Sequence, residues 1–148
     1  MRLFVQLLAC CCLFSLVLVG CGTTRTYYSD AQVIGPYTPA VKVGDVLYVS
    51  GQVAFKPGTT ELAGDDIEVQ THQVLDNIKA ILANAGYVMS EVVQCTVYLK
   101  DINDFTKMNQ IYGPYFVQGR YPTRTTVEVS NLPRKARIEI TVLASKSK

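Results

Sequence analysis

The sequence predicts an α+β domain in which two helices cover one face of a mixed β-sheet. Strand-like and helix-like segments follow one another in the order β-β-α-β-α-β-β. Helices that connect strands of one sheet act as crossovers, and this places both helices on the same face. The composition, 49% hydrophobic and 18% charged over 148 residues, fits one globular core plus an apolar N-terminal segment.

The first two predicted strands form a hairpin. Residues 38–43 and 47–55 are rich in β-branched and aromatic side chains, and Gly44-Asp45 between them is a turn dipeptide. Residues 56–60, Lys-Pro-Gly-Thr-Thr, have the composition of a loop. We therefore expect the chain to leave the second strand here and to turn towards the first helix.

The first predicted helix covers residues 66–85, where apolar side chains recur at helical spacing. Asp65 or Asp66 is suited to cap its start, and Gly86 fits the position just past its end. His72, the only histidine of the chain, lies midway along this segment and is predicted to be on the helix surface.

A third strand and a second helix follow. Apolar side chains alternate along residues 92–99, and Cys95 is one of them, so we interpret it as a buried structural thiol. Asn103 or Asp104 is suited to cap the second helix, which carries several large apolar side chains. The Gly-Pro pair at 113–114 should kink or shorten that helix.

The last two predicted strands are residues 122–129 and 137–142. The loop between them contains Arg134 and Lys135, which form a basic cluster with Arg137. We interpret this cluster as a solvated turn and not as a phosphate-binding patch.

The face of the sheet opposite the helices is predicted to be uncovered. The side chains assigned to it are Val49, Gly51, Thr96, Tyr98 and Thr126. Such a face is too apolar to stay in contact with water without a reason. Self-association through this face is therefore expected.

Arg124 and Glu139 are the leading candidates for chemistry. An arginine at the start of a strand offers a planar fork of donors that matches a carboxylate. A glutamate between Ile138 and Ile140 should lose solvation, which raises its pKa and suits proton transfer near neutral pH. Together they suggest a site that holds a small organic acid and moves a proton on it. On spacing alone, a cross-strand ion pair on a solvated face remains the alternative.

Side-chain counts argue against several other function classes. The 14 Lys and Arg residues nearly balance the 12 Asp and Glu residues, so no electrostatic footprint for nucleic acid is expected. Beyond Cys21 the chain has one histidine and one cysteine, too few ligands for a zinc site, and we expect no metal. No G-x-S-x-G nucleophile elbow is present.

The N-terminal segment has the features of an export signal. Arg2 precedes an uncharged apolar run at residues 3–19. Leu-Val-Gly-Cys at 18–21 resembles the lipobox of bacterial lipoproteins, in which the cysteine is acylated and becomes the first residue. The alternatives are an ordinary signal peptide cut nearby, or a retained anchor that is shorter than the ~20 residues a membrane span needs.

We therefore expect three parts in this chain. These are a signal peptide at 1–20, an acylated Cys21 with a flexible polar tether to residue 30, and a folded domain at 31–148. The expected location is the bacterial cell envelope, with the domain held to a membrane through Cys21 and facing outside the cytoplasm.

Several short motifs lie in the folded part. They are Ile-Gly-Pro-Tyr at 34–37, Ser-Gly-Gln at 50–52, Asp-Ile-Asn-Asp-Phe at 101–105 followed by Asn109, Pro-x-Arg-x-x-Val-x-Val at 122–129, and Leu-Pro at 132–133 followed by Ile-Glu-Ile at 138–140. In order and spacing they resemble the motifs of the Rid family of reactive intermediate deaminases, the YjgF-type proteins. The resemblance covers residues 31–144.

The resemblance implies a chorismate-mutase-like fold and a homotrimer whose active sites lie in clefts between subunits. It also implies hydrolytic deamination of 2-imino or enamine acids to 2-oxo acids and ammonia, without a cofactor. Arg124 matches the arginine that grips the substrate carboxylate. Glu139 matches the glutamate that positions or activates water.

The same resemblance implies roles for five further residues. Tyr37 matches a tyrosine that lines the pocket from a neighbouring subunit, and Ser50, Gly51 and Asn109 match other lining positions. Thr126 departs from the pattern because the best-understood deaminase branch has cysteine there, which leaves the substrate range open. Export is a second departure, since the best-known imine sources are cytosolic pyridoxal-phosphate enzymes.

Two other functions stay open at this point. The first is a lipid-anchored trimer that binds small organic acids through Arg124 without turnover. The second is a holdase-like or nuclease module, for which the sequence offers neither a separate site nor a basic groove.

Overall fold

The computed structural model of the protein describes residues 22–146. Its strands and α-helices are β1 (Arg25–Tyr28), β2 (Ala40–Val43), β3 (Val46–Gln52), α1 (Ile67–Asn84), β4 (Val92–Leu99), α2 (Phe105–Tyr112), β5 (Thr123–Glu128) and β6 (Ile138–Ser145). The strands form one sheet in the order β1-β2-β3-β6-β4-β5. Only β4 and β5 of these neighbours run parallel, so the sheet is mixed, as predicted.

The first strand corrects part of the sequence prediction. Residues 22–30 were expected to form a flexible tether, but Arg25–Tyr28 pairs antiparallel with β2. Thr26 and the two tyrosines favour a strand, and the outer edge of β2 offers unpaired backbone groups. The predicted signal peptide and Cys21 lie outside the described residues. Between residues 22 and 146 no helix is long and apolar enough to cross a membrane.

The ends of α1 are formed as the sequence predicts. The Asp66 carboxylate accepts hydrogen bonds from the backbone N–H groups of Glu68 at 2.7 Å and Val69 at 3.3 Å. Gly86 follows the helix with φ of 75°, a left-handed conformation that glycine adopts without steric cost. His72 is exposed on α1, as expected, and its Nδ1 lies 3.0 Å from the hydroxyl of Tyr115.

The start of the second helix differs from the prediction. A 3-10 turn at Ile102–Asp104 precedes α2, and the Asp101 carboxylate caps this turn by accepting from the N–H of Asn103 at 2.9 Å. Asp104 occupies the N-cap position of α2, as predicted, but its side chain does not cap the helix, because its carboxylate accepts from Nε and Nη2 of Arg137 at 3.0 and 2.7 Å. Arg137 is therefore tied to the start of α2 by an ion pair, although 39% of its side chain stays exposed. Arg134 and Lys135 in the preceding loop are exposed, as predicted. As predicted, the Gly-Pro pair ends α2, and a 3-10 turn continues at Gly113–Tyr115.

The core lies between the sheet and the two helices. Its fully buried members other than alanine come from both layers: Leu47, Val74, Leu75, Ile78, Leu82, Cys95, Val97, Leu99, Met108, Ile138 and Ile140. Cys95 has no accessible surface, which confirms its prediction as a structural thiol. Burial raises the pKa of this thiol to about 11, so it stays protonated.

The other face of the sheet, which we call the open face, carries no helix in the described part of the chain. Tyr48 is 49% exposed and Val127 is 40% exposed there. Two residues assigned to this face by sequence lie on the helix side instead. Val49 is buried, and Thr126 is paired with the buried Val97. An exposed aromatic and apolar sheet face of this kind is typical of an interface.

Candidate active site

Arg124 and Glu139 point to opposite faces of the sheet. Side chains of paired residues on neighbouring strands project to the same face of the sheet. The partner of each residue on β4 therefore shows which face Arg124 and Glu139 occupy. Arg124 is paired with Cys95, which is buried under the helices. Glu139 is paired with Tyr98 on the open face. Strand β4 also separates the two, so a cross-strand ion pair between them within one chain is ruled out.

Arg124 is held against α2 by aromatic rings. Its guanidinium carbon lies 4.6 Å from the ring centre of Tyr112 and 5.5 Å from that of Phe105. Cation–π contacts orient a guanidinium without using its N–H donors. No carboxylate between residues 22 and 146 forms a salt bridge with Arg124. The donors are therefore available to an anionic ligand.

Asn109 and Thr126 lie on the same side of the sheet as Arg124. Asn109 is four residues after Phe105 and three before Tyr112, so the three share one face of α2. Thr126 follows Arg124 by two positions on β5 and has the same orientation. The Thr126 hydroxyl oxygen is buried and has no hydrogen-bond partner among the described residues. A buried hydroxyl without a partner is a place where a ligand or water can bind.

Tyr112 supports Arg124 from a buried position. Its hydroxyl also finds no partner within hydrogen-bond geometry among residues 22–146, although the Cys95 thiol is close enough to influence its ionisation. Burial raises the pKa of Tyr112 far above its usual range, so the phenol stays neutral. Tyr112 is one of the large side chains of the second predicted helix, but this role was not predicted. Its spacing of seven residues from Phe105, two turns along one helix face, is the signal that could have revealed it.

Glu139 lies in a cleft of about 200 Å³ on the open face. The cleft is lined by Ile34, Tyr37, Ser50, Gly51, Val53, Pro133 and Glu139. Burial raises the pKa of the Glu139 carboxyl above its usual range, as the sequence predicted. Within the described part of the chain its oxygens make no hydrogen bond or ion pair. A second cleft of about 320 Å³ adjoins Glu139 on the side of Tyr98 and Thr141.

Gly51 lies directly against the Glu139 side chain. A Cβ atom at Gly51 would overlap a Glu139 carboxylate oxygen and lie 2.9 Å from Cδ. Gly51 has no positive φ, so glycine is needed here for space and not for backbone freedom. The register between β3 and β6 shifts between Val49 and Gln52, and this irregularity brings Gly51 under the carboxylate.

The other lining residues are held by local hydrogen bonds. Ser50 donates from its hydroxyl to the Thr38 carbonyl oxygen at 2.7 Å, which leaves its oxygen free to accept. Tyr37 donates its N–H to the Gly35 carbonyl at 2.9 Å, so residues 35–37 form a tight turn. The Tyr37 side chain is 41% exposed at the edge of the cleft.

A pair of amides holds the strand that carries Ser50 and Gly51. Gln52 donates from Nε2 to the carbonyl oxygens of these two residues at 3.0 and 3.3 Å. Asn77 on α1 donates from Nδ2 to the carbonyls of Val53 at 3.2 Å and Phe55 at 2.9 Å. The roles of both amides were not predicted, although Gln52 belongs to the Ser-Gly-Gln motif. For Asn77 the available signal was an asparagine within the apolar stripe of α1.

The predicted site residues thus form two groups. Arg124, Asn109 and Thr126 lie on the helix side at the edge strand β5, and Tyr37, Ser50, Gly51 and Glu139 lie on the open face. The first group can hold a carboxylate and the second can move a proton, but within one chain they do not face a common space. Among residues 22–146 no group of three or more His, Cys, Asp or Glu side chains could hold a metal ion.

Known proteins resemble this chain over nearly all of the described part. The family model for endoribonuclease L-PSP matches residues 28–146. A RutC family protein of Saccharolobus solfataricus is 56% identical over 114 residues, which are 77% of this chain and 90% of the relative. The 2-iminobutanoate/2-iminopropanoate deaminase of Escherichia coli K12 is 40% identical over 113 residues, 75% of this chain and 88% of that protein.

Solved structures agree with the sequence comparison. The crystal structure of a protein of unknown function from the Rid family of Yersinia pestis has a TM-score of 0.79 and 40% identity, over 83% of this chain and all of that one. These matches confirm the fold class and the family expected from the motifs. The chain therefore belongs to the endoribonuclease L-PSP family, which includes the Rid and RutC proteins.

Proposed function

We propose that this protein hydrolyses reactive 2-imino or enamine acids to 2-oxo acids and ammonia, at sites formed between the subunits of a homotrimer. The observation that carries the proposal is the separation of Arg124 and Glu139. Each is equipped for one half of the reaction, and each lies on a different face of the sheet. A neighbouring copy can complete the site because Arg124 is on β5, the edge strand, and Glu139 is on the open face.

In the proposed reaction Arg124 binds the substrate carboxylate through its free donors. An enamine first tautomerises to the imine. Water then attacks the carbon of the protonated imine while Glu139 accepts a proton from the water, and the product is a neutral carbinolamine. Glu139 returns this proton to the amino nitrogen, and the C–N bond breaks as the hydroxyl oxygen forms the C=O bond. The hydroxyl proton passes to the departing ammonia, so the products are the 2-oxo acid and ammonium.

Three considerations support this chemistry. Burial raises the pKa of Glu139, which brings the carboxyl closer to the pH at which it must both accept and donate a proton. The imine carbon is already electrophilic, so orientation beside water supplies much of the rate. The 40% identity to a named iminoacid deaminase supports the same reaction class.

The lining residues have proposed roles in substrate placement. Tyr37, Ser50 and Gly51 shape the cleft around Glu139, with the serine oxygen as an acceptor. Asn109 and Thr126 lie beside Arg124, and the unpartnered Thr126 hydroxyl offers one more hydrogen bond to the bound carboxylate.

We also propose that the domain is tethered in the bacterial cell envelope through an acylated Cys21, after removal of residues 1–20. Because β1 begins at Arg25, the flexible link shortens to residues 22–24, and the folded unit begins before residue 31. The short link would keep the domain close to the membrane surface, on the side away from the cytoplasm.

One experiment tests the assembly and the activity together. A chain that starts at Gly22 is measured by light scattering, and an amino-acid oxidase then generates 2-iminopropanoate in its presence while ammonia release is followed. We expect a mass near three chains and release faster than spontaneous hydrolysis. A folded trimer that binds the acid without accelerating hydrolysis would instead be a binding protein. A folded monomer would contradict the shared site.

A further inference from the structure

A third cleft, of about 440 Å³, is larger than either cleft beside Glu139. Its walls are the segment between β1 and β2, the loop after β3 and one side of α1. The residues that matter here are Asp30, Gln52, Phe55, Lys56, Ile81 and Asn84. The volume falls in the range of small-molecule sites, ~300–1,000 Å³. None of the residues proposed for the deaminase reaction lines it.

The floor of this cleft is apolar and rigid. Phe55 is 9% exposed and Ile81 is 7% exposed, so the core behind them holds both side chains in place. Asn77 also reaches the floor, but both of its amide contacts go to backbone carbonyls of the chain that follows β3. The floor therefore offers apolar contact and no free donor.

The rim of the cleft carries two opposite charges. The Lys56 ammonium is held only loosely, at 3.6 Å from a Glu61 carboxylate whose side chain is 76% exposed. The Asp30 carboxylate accepts one hydrogen bond, from Asn84 Nδ2 to Oδ2 at 3.1 Å, and its other oxygen has no partner in the described residues. One cation and one anion thus face an apolar floor.

We propose that this cleft binds a free α-amino acid with an apolar side chain. The ligand carboxylate pairs with Lys56, its ammonium pairs with Asp30, and its side chain packs on Phe55 and Ile81. A zwitterion satisfies both rim charges at once. An anion alone would be repelled by Asp30, and a cation alone would be repelled by Lys56.

The cleft is independent of the proposed trimer interface. Its lining residues lie on neither β5 nor α2, which carry Arg124 and its aromatic contacts, and its helix wall belongs to α1, on the face of the sheet opposite Glu139. Association through the open face leaves the cleft accessible. Gln52 lines the cleft and also holds the carbonyls of Ser50 and Gly51, so a ligand here touches the residue that supports the proposed active site.

The test is isothermal titration of the full chain in detergent micelles with three probes. L-leucine carries both charges, N-acetyl-L-leucine lacks the ammonium, and L-leucinamide lacks the carboxylate. We expect L-leucine to bind in the millimolar range or tighter, and each blocked probe to bind about fivefold more weakly, as for the loss of one partly exposed ion pair.

Variants assign the two ends of the ligand. Lys56→Gln should weaken only probes that carry a carboxylate, and Asp30→Asn only probes that carry an ammonium. Glu61→Gln removes the competing carboxylate from Lys56 and should tighten L-leucine binding. Lys79→Gln is the matched control, because Lys79 is exposed on α1 but does not line the cleft; binding should not change.

Three results would overturn the inference. The first is no binding of any probe to the folded wild-type protein. The second is equal affinity for all three probes. The third is loss of L-leucine binding in Arg124→Lys with no effect of Lys56→Gln, which would place the ligand carboxylate at Arg124. The third result leaves the deaminase proposal intact, so the two proposals fail separately.

Discussion

Gly51→Ala is expected to separate the stability of the fold from the placement of Glu139. The new Cβ would lie 2.9 Å from Cδ and 3.2 Å from Cγ of Glu139 and would overlap a carboxylate oxygen. Ordinary contact between carbon atoms needs about 3.5–4.0 Å. The tightest overlap is with the carboxylate oxygen, so the carboxyl must move by roughly 1 Å or more. It is only half-buried and sits on a flexible side chain, so it can rotate out of the cleft.

The size of the effect follows from two opposing contributions. Alanine restricts the unfolded chain and should stabilise a strand position by roughly 0.5–1 kcal/mol. Overpacking against Glu139 should cost about 1–3 kcal/mol. We expect Gly51→Ala to lower the free energy of unfolding by about 1 kcal/mol in the wild type. In the Glu139→Ala background, Gly51→Ala should raise the free energy of unfolding by about 0.5 kcal/mol. The coupling energy is then about 1.5 kcal/mol, within the range for residues in contact.

The assay is urea unfolding of the four proteins of this double-mutant cycle at one fixed protein concentration, because assembly shifts apparent stability. Deaminase turnover is measured beside it, and Gly51→Ala should lose about 10²–10⁴-fold as the proton-transfer group moves away. A coupling energy near zero would show that Gly51 and Glu139 do not touch. Normal turnover in a folded Gly51→Ala trimer would show that the position of Glu139 does not matter for the reaction.

Three further predictions concern the same residues and the anchor. Arg124→Lys keeps the charge but loses the planar fork of donors, so substrate binding should weaken strongly. Glu139→Gln should keep substrate binding and lose about 10²–10⁴-fold in turnover. Steady-state kinetics on folded trimers separates the two effects. Burial raises the folded pKa of Glu139, so its contribution to stability is fully present below the unfolded pKa of about 4.3 and is lost as pH rises through the raised value. As the pH rises between these two pKa values, urea unfolding should show that the wild type loses stability relative to Glu139→Gln. The same dependence of stability on pH in both proteins would contradict the raised pKa. Cys21→Ala should release the domain from membranes without unfolding it, as detergent partitioning would report, and wild-type protein with an intact N-terminus in the cytosol would contradict export.

Most of the fold could be predicted because its elements have strong local signals. The capped apolar stripe of α1 and the alternation in β4 each gave an element within one residue of its observed bounds. β1 was missed because four residues next to a polar segment gain strand structure only by pairing with the edge of β2. The N-cap position of α2 was predicted, but not that the Asp104 carboxylate bonds Arg137, which is distant in sequence, instead of the helix N–H groups.

The candidate site was predictable residue by residue but not in its arrangement. Alternation shows that Arg124 and Thr126 share one face of β5, but this strand is polar on both faces, so its sequence does not say which face meets the helices. That orientation depends on the parallel pairing with β4, a long-range contact. The same limit explains why Thr126 was assigned to the open face.

The separation of Arg124 and Glu139 on two faces has a genetic consequence. If each site takes its arginine from one subunit and its glutamate from the next, two inactive alleles can complement each other. In a cell expressing Arg124→Lys and Glu139→Gln chains equally, random trimers would restore an intact pair at about a quarter of the sites. Two alleles that damage the same residue would never do so. Mutations in this one gene would then fall into two complementation groups, as mutations in two separate genes do.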